Sequence, residues 1–271
     1  MGDFLKEMAV SSAARAAATS RTVTAKDLDK PVYALRLSTF DLIAEIKNRS
    51  PAEGELAANA GSRVLRALTY AEAGAAAISV LTEPDKFDGE LWHLEEVVEA
   101  ISATSTPVMR KDFLVDVVQI IEAKVAGASG VLLIAAMLSD TALASMLDCA
   151  FEHNLFVLLE AFDEDDLDRS VVLLNRSDYR EQAEKHKLLL GVNTRNLRTL
   201  KVDANRLEQF AKKLPGGVVC VAESGQYTAE DASRVTQWGY AAALVGTALM
   251  RAEDPGKLVS DMLQAGRAHA A

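Results

Sequence analysis

Short apolar runs recur along the chain, each followed by a stretch of helical composition: LIAEIK (42–47), AAISVL (76–81), PVMRK (107–111), GVLLIA (130–135), LFVLLE (155–160), LLLGVN (188–193), VVCVAES (218–224) and ALVGT (243–247). Runs of this length alternating with amphipathic helices are the pattern of βα units around a parallel sheet. Eight such units predict an α/β fold, a single (β/α)8 TIM barrel. Helices are expected near 61–73, 90–103, 116–127, 139–153, 164–175, 203–213, 228–238 and 255–267, with Gly74, Gly127 and Gly239 placed to end three of them. Residues 1–40 predict an N-terminal helical extension of one or two helices, turning at Lys30-Pro31 and able to cover either open end of the barrel; residues 41–271 form the barrel catalytic domain. The one irregular connection is the long, charged segment 173–187, expected on the bottom face as an extended helix or a solvated excursion, with a partner-contact surface as the other reading.

The polar residues at the ends of these runs change the picture from architecture to chemistry. Alternation along a strand puts Leu42, Ala44 and Ile46 on one side and Ile43, Glu45 and Lys47 on the other. Helices cover the outside of a barrel, so the continuous apolar set faces outward and Glu45 and Lys47 point into the mouth. The same parity pairs Met109 with Lys111, Leu158 with Glu160, Val221 with Glu223 and Asn193 with Arg195. Side-chain layers in such barrels come from alternate strands. Glu45 and Lys47, Lys111, Glu160 and Glu223 end strands one, three, five and seven and are expected to ring one level, with Asn193 and Arg195 entering from strand six. Lysines and glutamates sharing one desolvated cup shift one another's proton affinity, as general acid–base chemistry needs. A phosphate is implied separately. Barrels commonly hold one with the loops after strands seven and eight, and here those strands run into Ser224-Gly225 and Gly246-Thr247, with Ser50 able to add a hydroxyl from the first loop.

Composition narrows the function classes. A chain of 271 residues suits one barrel, and 49% hydrophobic residues with 6 prolines exclude a disordered chain. A net charge of −10 argues against nucleic acid or an anionic membrane as partner, though not against a small anionic substrate in a local cationic pocket. The start of the chain lacks the apolar core of a signal peptide, and Phe4, Leu5 and Met8 have helical spacing. Cys149 and Cys220 are expected as buried thiols in a reducing cytoplasm, and they and the four scattered histidines form no metal-ligand spacing.

Several segments together resemble the indole-3-glycerol-phosphate synthase family of tryptophan biosynthesis: AEIKNRSP (44–51), SVLTEPDKFDG (79–89), PVMRKDF (107–113), QIIEAKVAGASGVLLI (119–134), LLE (158–160), GVNTRNL (191–197), AESG (222–225) and LVGTALMRAEDP (244–255). The resemblance covers about residues 40 to 260. It implies a carboxy-lyase that closes the indole ring of 1-(2-carboxyphenylamino)-1-deoxyribulose 5-phosphate with loss of CO2 and water, needing no cofactor and no metal. It further implies that Lys111 is the general acid at the ribulose carbonyl and Glu160 the acid–base group of the dehydration. Lys47 would lie near the anthranilate carboxylate as a further proton donor, oriented by Glu45. Asn193 and Arg195 would hold polar groups of the substrate, and Glu223 its hydroxyl-bearing chain. Ser50, Ser224, Gly225, Gly246 and Thr247 would bind phosphate, and Phe87 and Phe113 would pack on the anthranilate ring. A monomer or homodimer is expected, with association with other enzymes of the tryptophan pathway open.

The chain departs from the family pattern in places. Where S-P-S-K-G is usual it has Ala52-Glu53-Gly54-Glu55 after the Ser-Pro pair, an acidic first loop expected to close less tightly on an anion. EAFD stands for EVHD, N-T-R-N-L for N-N-R-N-L and G-T-A-L-M for G-E-S-L-M, and 173–187 is longer than usual. The competing readings are another phosphosugar barrel, an isomerase or a Schiff-base aldolase using Lys111, and a specialised paralogue that binds a ligand or partner without turnover.

Overall fold

The computed structural model describes residues 3–20, 22–51, 53–56 and 62–270; Ala52 of the first loop and Gly61, the expected start of the first barrel helix, lie outside them. The eight apolar runs form strands β1 (Asp41–Ile46), β2 (Ala77–Leu81), β3 (Val108–Lys111), β4 (Gly130–Ile134), β5 (Phe156–Ala161), β6 (Leu188–Asn193), β7 (Cys220–Glu223) and β8 (Ala242–Val245). Every neighbouring pair is parallel, and β1 pairs with both β2 and β8, so the sheet closes on itself. The register sets Glu45 beside Ser79, Lys111 beside Leu81, Glu160 beside Gly191, and Asn193 beside Glu223.

Period-two alternation divides the core into two shells. Leu42, Ala44, Ile46, Ile78, Leu133 and Leu159 face the ring of helices. Ile43, Met109, Leu132, Leu158, Val221 and Leu244 fill the inside. Helices begin where polar side chains can take up the first free N–H groups. Asp116 and Gln119 make a capping box ahead of Val117–Val125, Thr228 and Asp231 another ahead of Ala229–Gln237, and Asp254 caps Pro255–Arg267. Gly74 and Gly127 follow helices at φ +96° and +91°, a left-handed backbone that a side chain would strain.

The N-terminal segment covers both ends of the barrel. Helix α1 (Phe4–Ala18) lies across the mouth, where the Arg15 guanidinium donates to both carboxylate oxygens of Asp112 at 2.9 and 2.8 Å. Phe4 N–H donates to Arg198 O, and Glu7 pairs with Lys86 at 2.7 Å. The chain then descends the flank, where the Thr19 hydroxyl bonds Glu122 at 2.6 Å, and passes through a short helix α2 (Ala25–Leu28). Below the barrel, Tyr33 N–H donates to the Ser129 hydroxyl at 3.0 Å, and Leu35 joins the inner apolar shell.

Segment 173–187 is neither one extended helix nor a solvated excursion. It ends Glu164–Leu174 and adds a separate helix, Ser177–Glu184, anchored by buried Tyr179 and Ala183. Tyr179 packs on Phe151 and donates its hydroxyl to Asp148, so most of the charge sits on the outer face of an ordinary amphipathic helix. Cys220 is buried as expected, but Cys149 is partly exposed because it falls at the edge of the buried stripe of its helix.

Packing at the barrel floor depends on one glycine. A Cβ at Gly130 would enter the Phe156 ring on the neighbouring strand. Gly130→Ala is therefore expected to cost about 1–3 kcal/mol through overpacking, read as a lower urea midpoint with the barrel's circular dichroism retained.

Candidate active site

The strand ends meet in a cleft at the C-terminal end of the barrel, under α1. All the residues singled out from the sequence line it: Glu45, Lys47, Ser50, Phe87, Lys111, Phe113, Glu160, Asn193, Arg195, Glu223, Ser224, Gly225, Gly246 and Thr247. At the floor, Lys111 Nζ lies 3.3 Å from Glu160 Oε2 and 3.1 Å from Glu223 Oε2. Asn193 Nδ2 donates to Glu160 Oε1 at 2.9 Å, and Asn193 Oδ1 accepts the Arg195 backbone N–H at 2.9 Å. Glu45 Oε2 sits 2.6 Å from Lys47 Nζ, one residue beyond the end of β1. Glu45, Glu160 and Glu223 are all buried.

Electrostatics follow from that crowding. Burial works against the Lys111 ammonium, but Glu223, Glu160 and Glu45 outweigh it and hold its pKa above the usual lysine range. Burial also opposes ionisation of Glu45, yet Lys47 and Lys111 win and keep its pKa below the ordinary carboxylate value. For Glu223 burial prevails, joined by repulsion from Glu160, and its carboxyl is pushed up to about 8 despite Lys111. Its Oε1 has no hydrogen-bond partner among the described residues. Burial and the neighbouring Glu160 carboxylate thus both favour the protonated form of Glu223.

Two glycines make room for these groups. A Cβ at Gly191 would collide with the Glu223 carboxylate, and one at Gly246 with the Glu45 carboxylate and Lys47. Gly191 was not singled out from the sequence, although a glycine inside an apolar strand is itself a sign of close approach. On one side of the cleft Phe113 contacts Phe87 at 6.0 Å and Phe4 at 5.9 Å between ring centroids. Phe4 was expected only as part of a leading helix. Opposite, Ser224 and Gly225 follow β7 at φ +64° and +83°, and the Thr194 hydroxyl donates to Ser224 O at 3.2 Å. Gly246 and Thr247 start the short helix Thr247–Arg251, and Ser50 is buried at the rim.

Lys111 is braced from behind. Burial alone would raise the Asp112 carboxyl, but hydrogen bonds and charge from Arg15 and Arg110 take it down to about 2. Arg110 also reaches Thr82 and Glu122, tying β3 to its neighbours. The acidity of the first loop is partly cancelled, since Glu53 pairs with Arg251 at 2.9 Å and Glu55 is exposed. Among the described residues, no helix is long and apolar enough to cross a membrane.

Comparison with known proteins identifies the family of the chain. Solved structures show the fold alone: 3-hexulose-6-phosphate synthase of Salmonella typhimurium matches with TM-score 0.60 and 14% identity over 85% of this chain and 100% of that one. Thiamine phosphate pyrophosphorylase of Pyrococcus furiosus matches with TM-score 0.57 and 15% identity over 86% and 98%. Curated sequences carry more. The indole-3-glycerol phosphate synthase of Nocardioides sp. is 41% identical over 232 residues, 86% of this chain and 83% of its own, and that of Koribacter versatilis is 39% identical over 222 residues, 82% and 79%. The family model described as indole-3-glycerol phosphate synthase matches residues 6–262, and the chain belongs to that family.

Proposed function

We propose that Lys111, Glu160 and their neighbours carry the ring closure of 1-(2-carboxyphenylamino)-1-deoxyribulose 5-phosphate to indole-3-glycerol phosphate in this chain. The observation that carries the reading is the Lys111 ammonium held between Glu160 and Glu223 at the floor of a cleft with aromatic rings on one side and hydroxyl and glycine loops on the other. The substrate has matching parts: an aromatic ring with a carboxylate, a ketose carbonyl and a phosphate. We place the ring against Phe87 and Phe113, its carboxylate near Lys47 and Arg195, and the phosphate at Ser50, Ser224-Gly225 and Gly246-Thr247.

In that pose the ring carbon bearing the carboxylate attacks the carbonyl carbon while Lys111 delivers a proton to the carbonyl oxygen, leaving a hydroxyl. CO2 departs and its bonding electrons pass to the iminium nitrogen formed on closure. Glu160 then serves the dehydration: the hydroxyl leaves as water, pushed by the nitrogen lone pair, and loss of a ring-methylene proton completes the indole. Asn193 holds Glu160 in place, and Glu45 aligns Lys47. Glu223 supplies an acceptor or a donor to the sugar chain according to its proton. A Schiff-base aldolase is disfavoured, because an imine forms from a neutral amine and these carboxylates keep Lys111 protonated. Two unpaired cysteines, one with its thiol pushed up to about 12 by burial, support a cytoplasmic setting.

Lys111→Met and Glu160→Gln are each expected to lower kcat by roughly 10²-fold or more, the usual contribution of a general acid or base, while the fold survives. Indole fluorescence on adding substrate is the readout, and near-wild-type turnover in Lys111→Met sinks the mechanism. Ser224→Ala and Thr247→Ala are expected mainly to raise KM; an unchanged KM in both removes the phosphate assignment. Glu223 binds its proton more tightly when folded, so the stability it contributes is full below its unfolded pKa and fades as pH rises towards about 8. The Tm of Glu223→Gln should therefore gain on the wild type between about pH 5 and pH 8; a constant difference would mean that folding does not raise the Glu223 pKa.

A further inference from the structure

One polar side chain in the cleft is left over by this assignment. Gln226 follows Ser224-Gly225 in the loop after β7, lines the cleft, and is 6% exposed. Its Oε1 is fully buried with no hydrogen-bond partner among the described residues. A carboxamide buried without a partner is costly, and native structures retain such groups where a ligand or water completes them. The neighbouring residues are partnered: Thr194 bonds Ser224 O, and Tyr227 N–H and Thr228 N–H both donate to Asp231. The loop is therefore held without help from the Gln226 side chain.

We propose that Gln226 is a substrate-binding residue that reads the hydroxyl groups of the sugar chain. The chemistry of the unpartnered atom selects the ligand group. An amide oxygen accepts and needs a donor. A phosphate dianion and an ionised carboxylate offer none, whereas each hydroxyl of the chain donates and also accepts. Position agrees, since Gln226 adjoins the phosphate loops on the side of the cleft away from the Phe87–Phe113 pair. The inference rests on the pose proposed above, with phosphate at Ser224-Gly225 and Thr247.

The test compares two ligands by fluorescence titration: indole-3-glycerol phosphate and indole-3-propanol phosphate, which keeps ring and phosphate but lacks both hydroxyls. Gln226→Met, close in size and apolar, is expected to weaken the glycerol phosphate about 5–30-fold and the propanol phosphate by less than about twofold. Gln226→Asn, which keeps the amide but withdraws it, should show the same selective loss and serves if the first variant folds poorly. Equal loss of both ligands, or loss of neither, overturns the proposal. Thr247→Ala separates this from failure of the pose, because it should weaken both ligands alike. If it weakens neither, the pose falls and the Gln226 assignment with it; if it weakens both while Gln226→Met shows no selectivity, only the Gln226 assignment falls.

Discussion

Lys111 is half-buried, with its ammonium between the buried carboxylates of Glu160 and Glu223, and the rest of the barrel mouth is arranged to make that enclosure tolerable. Removing three ionisable groups from water is expensive unless opposite charge and hydrogen bonds replace the solvent. Here the replacement is local: Asn193 donates to Glu160, Lys111 lies within reach of both carboxylates, and Glu45 is matched by Lys47. Space is as tightly constrained as charge. Gly191 and Gly246 are the absences of side chain into which Glu223 and Glu45 fit. The result is a floor whose carboxylates are paired with Lys47 and Lys111, which line the cleft together with Arg195, and this is how a protein of net charge −10 presents cationic groups to an anionic substrate.

The same site depends on a segment outside the barrel. Arg15 of α1 grips Asp112, the residue after Lys111, and Phe4 of the same helix lies edge-on to Phe113. Further along, that segment enters the barrel floor with Leu35. One stretch of chain thus roofs the active site and plugs the opposite end, so the barrel interior is sealed where it is structural and covered where it is chemical.

Much of this was legible because strand periodicity is short and strict. Knowing which of Leu42 or Ile43 faces the helices fixes where Glu45 points, and the same step places Lys111, Glu160 and Glu223 on one level. What the sequence hid is what depends on contacts between distant residues. Nothing local to Glu53 names Arg251 as its partner, and nothing local to Arg15 names Asp112. Gly191 reads as a weak point in an apolar strand until Glu223 is seen to occupy its missing side chain. Segment 173–187 misled through its charge, because two buried residues, Tyr179 and Ala183, suffice to dock a helix whose other positions are polar.

Closure of the sheet has a temporal side. Strand β1 pairs with β8, and the Arg267 guanidinium bonds Phe40 O across 227 residues of sequence. Arg15 and Asp112 are themselves 97 residues apart. Such contacts carry a large loop-closure cost and form late. As the chain emerges during synthesis, Lys111 and Glu160 appear well before Gly246, Thr247 and the strand that shuts the ring. A nascent chain therefore carries its acid–base groups without a closed vessel to hold them, and catalytic competence waits for β8 and the loop after it to be made.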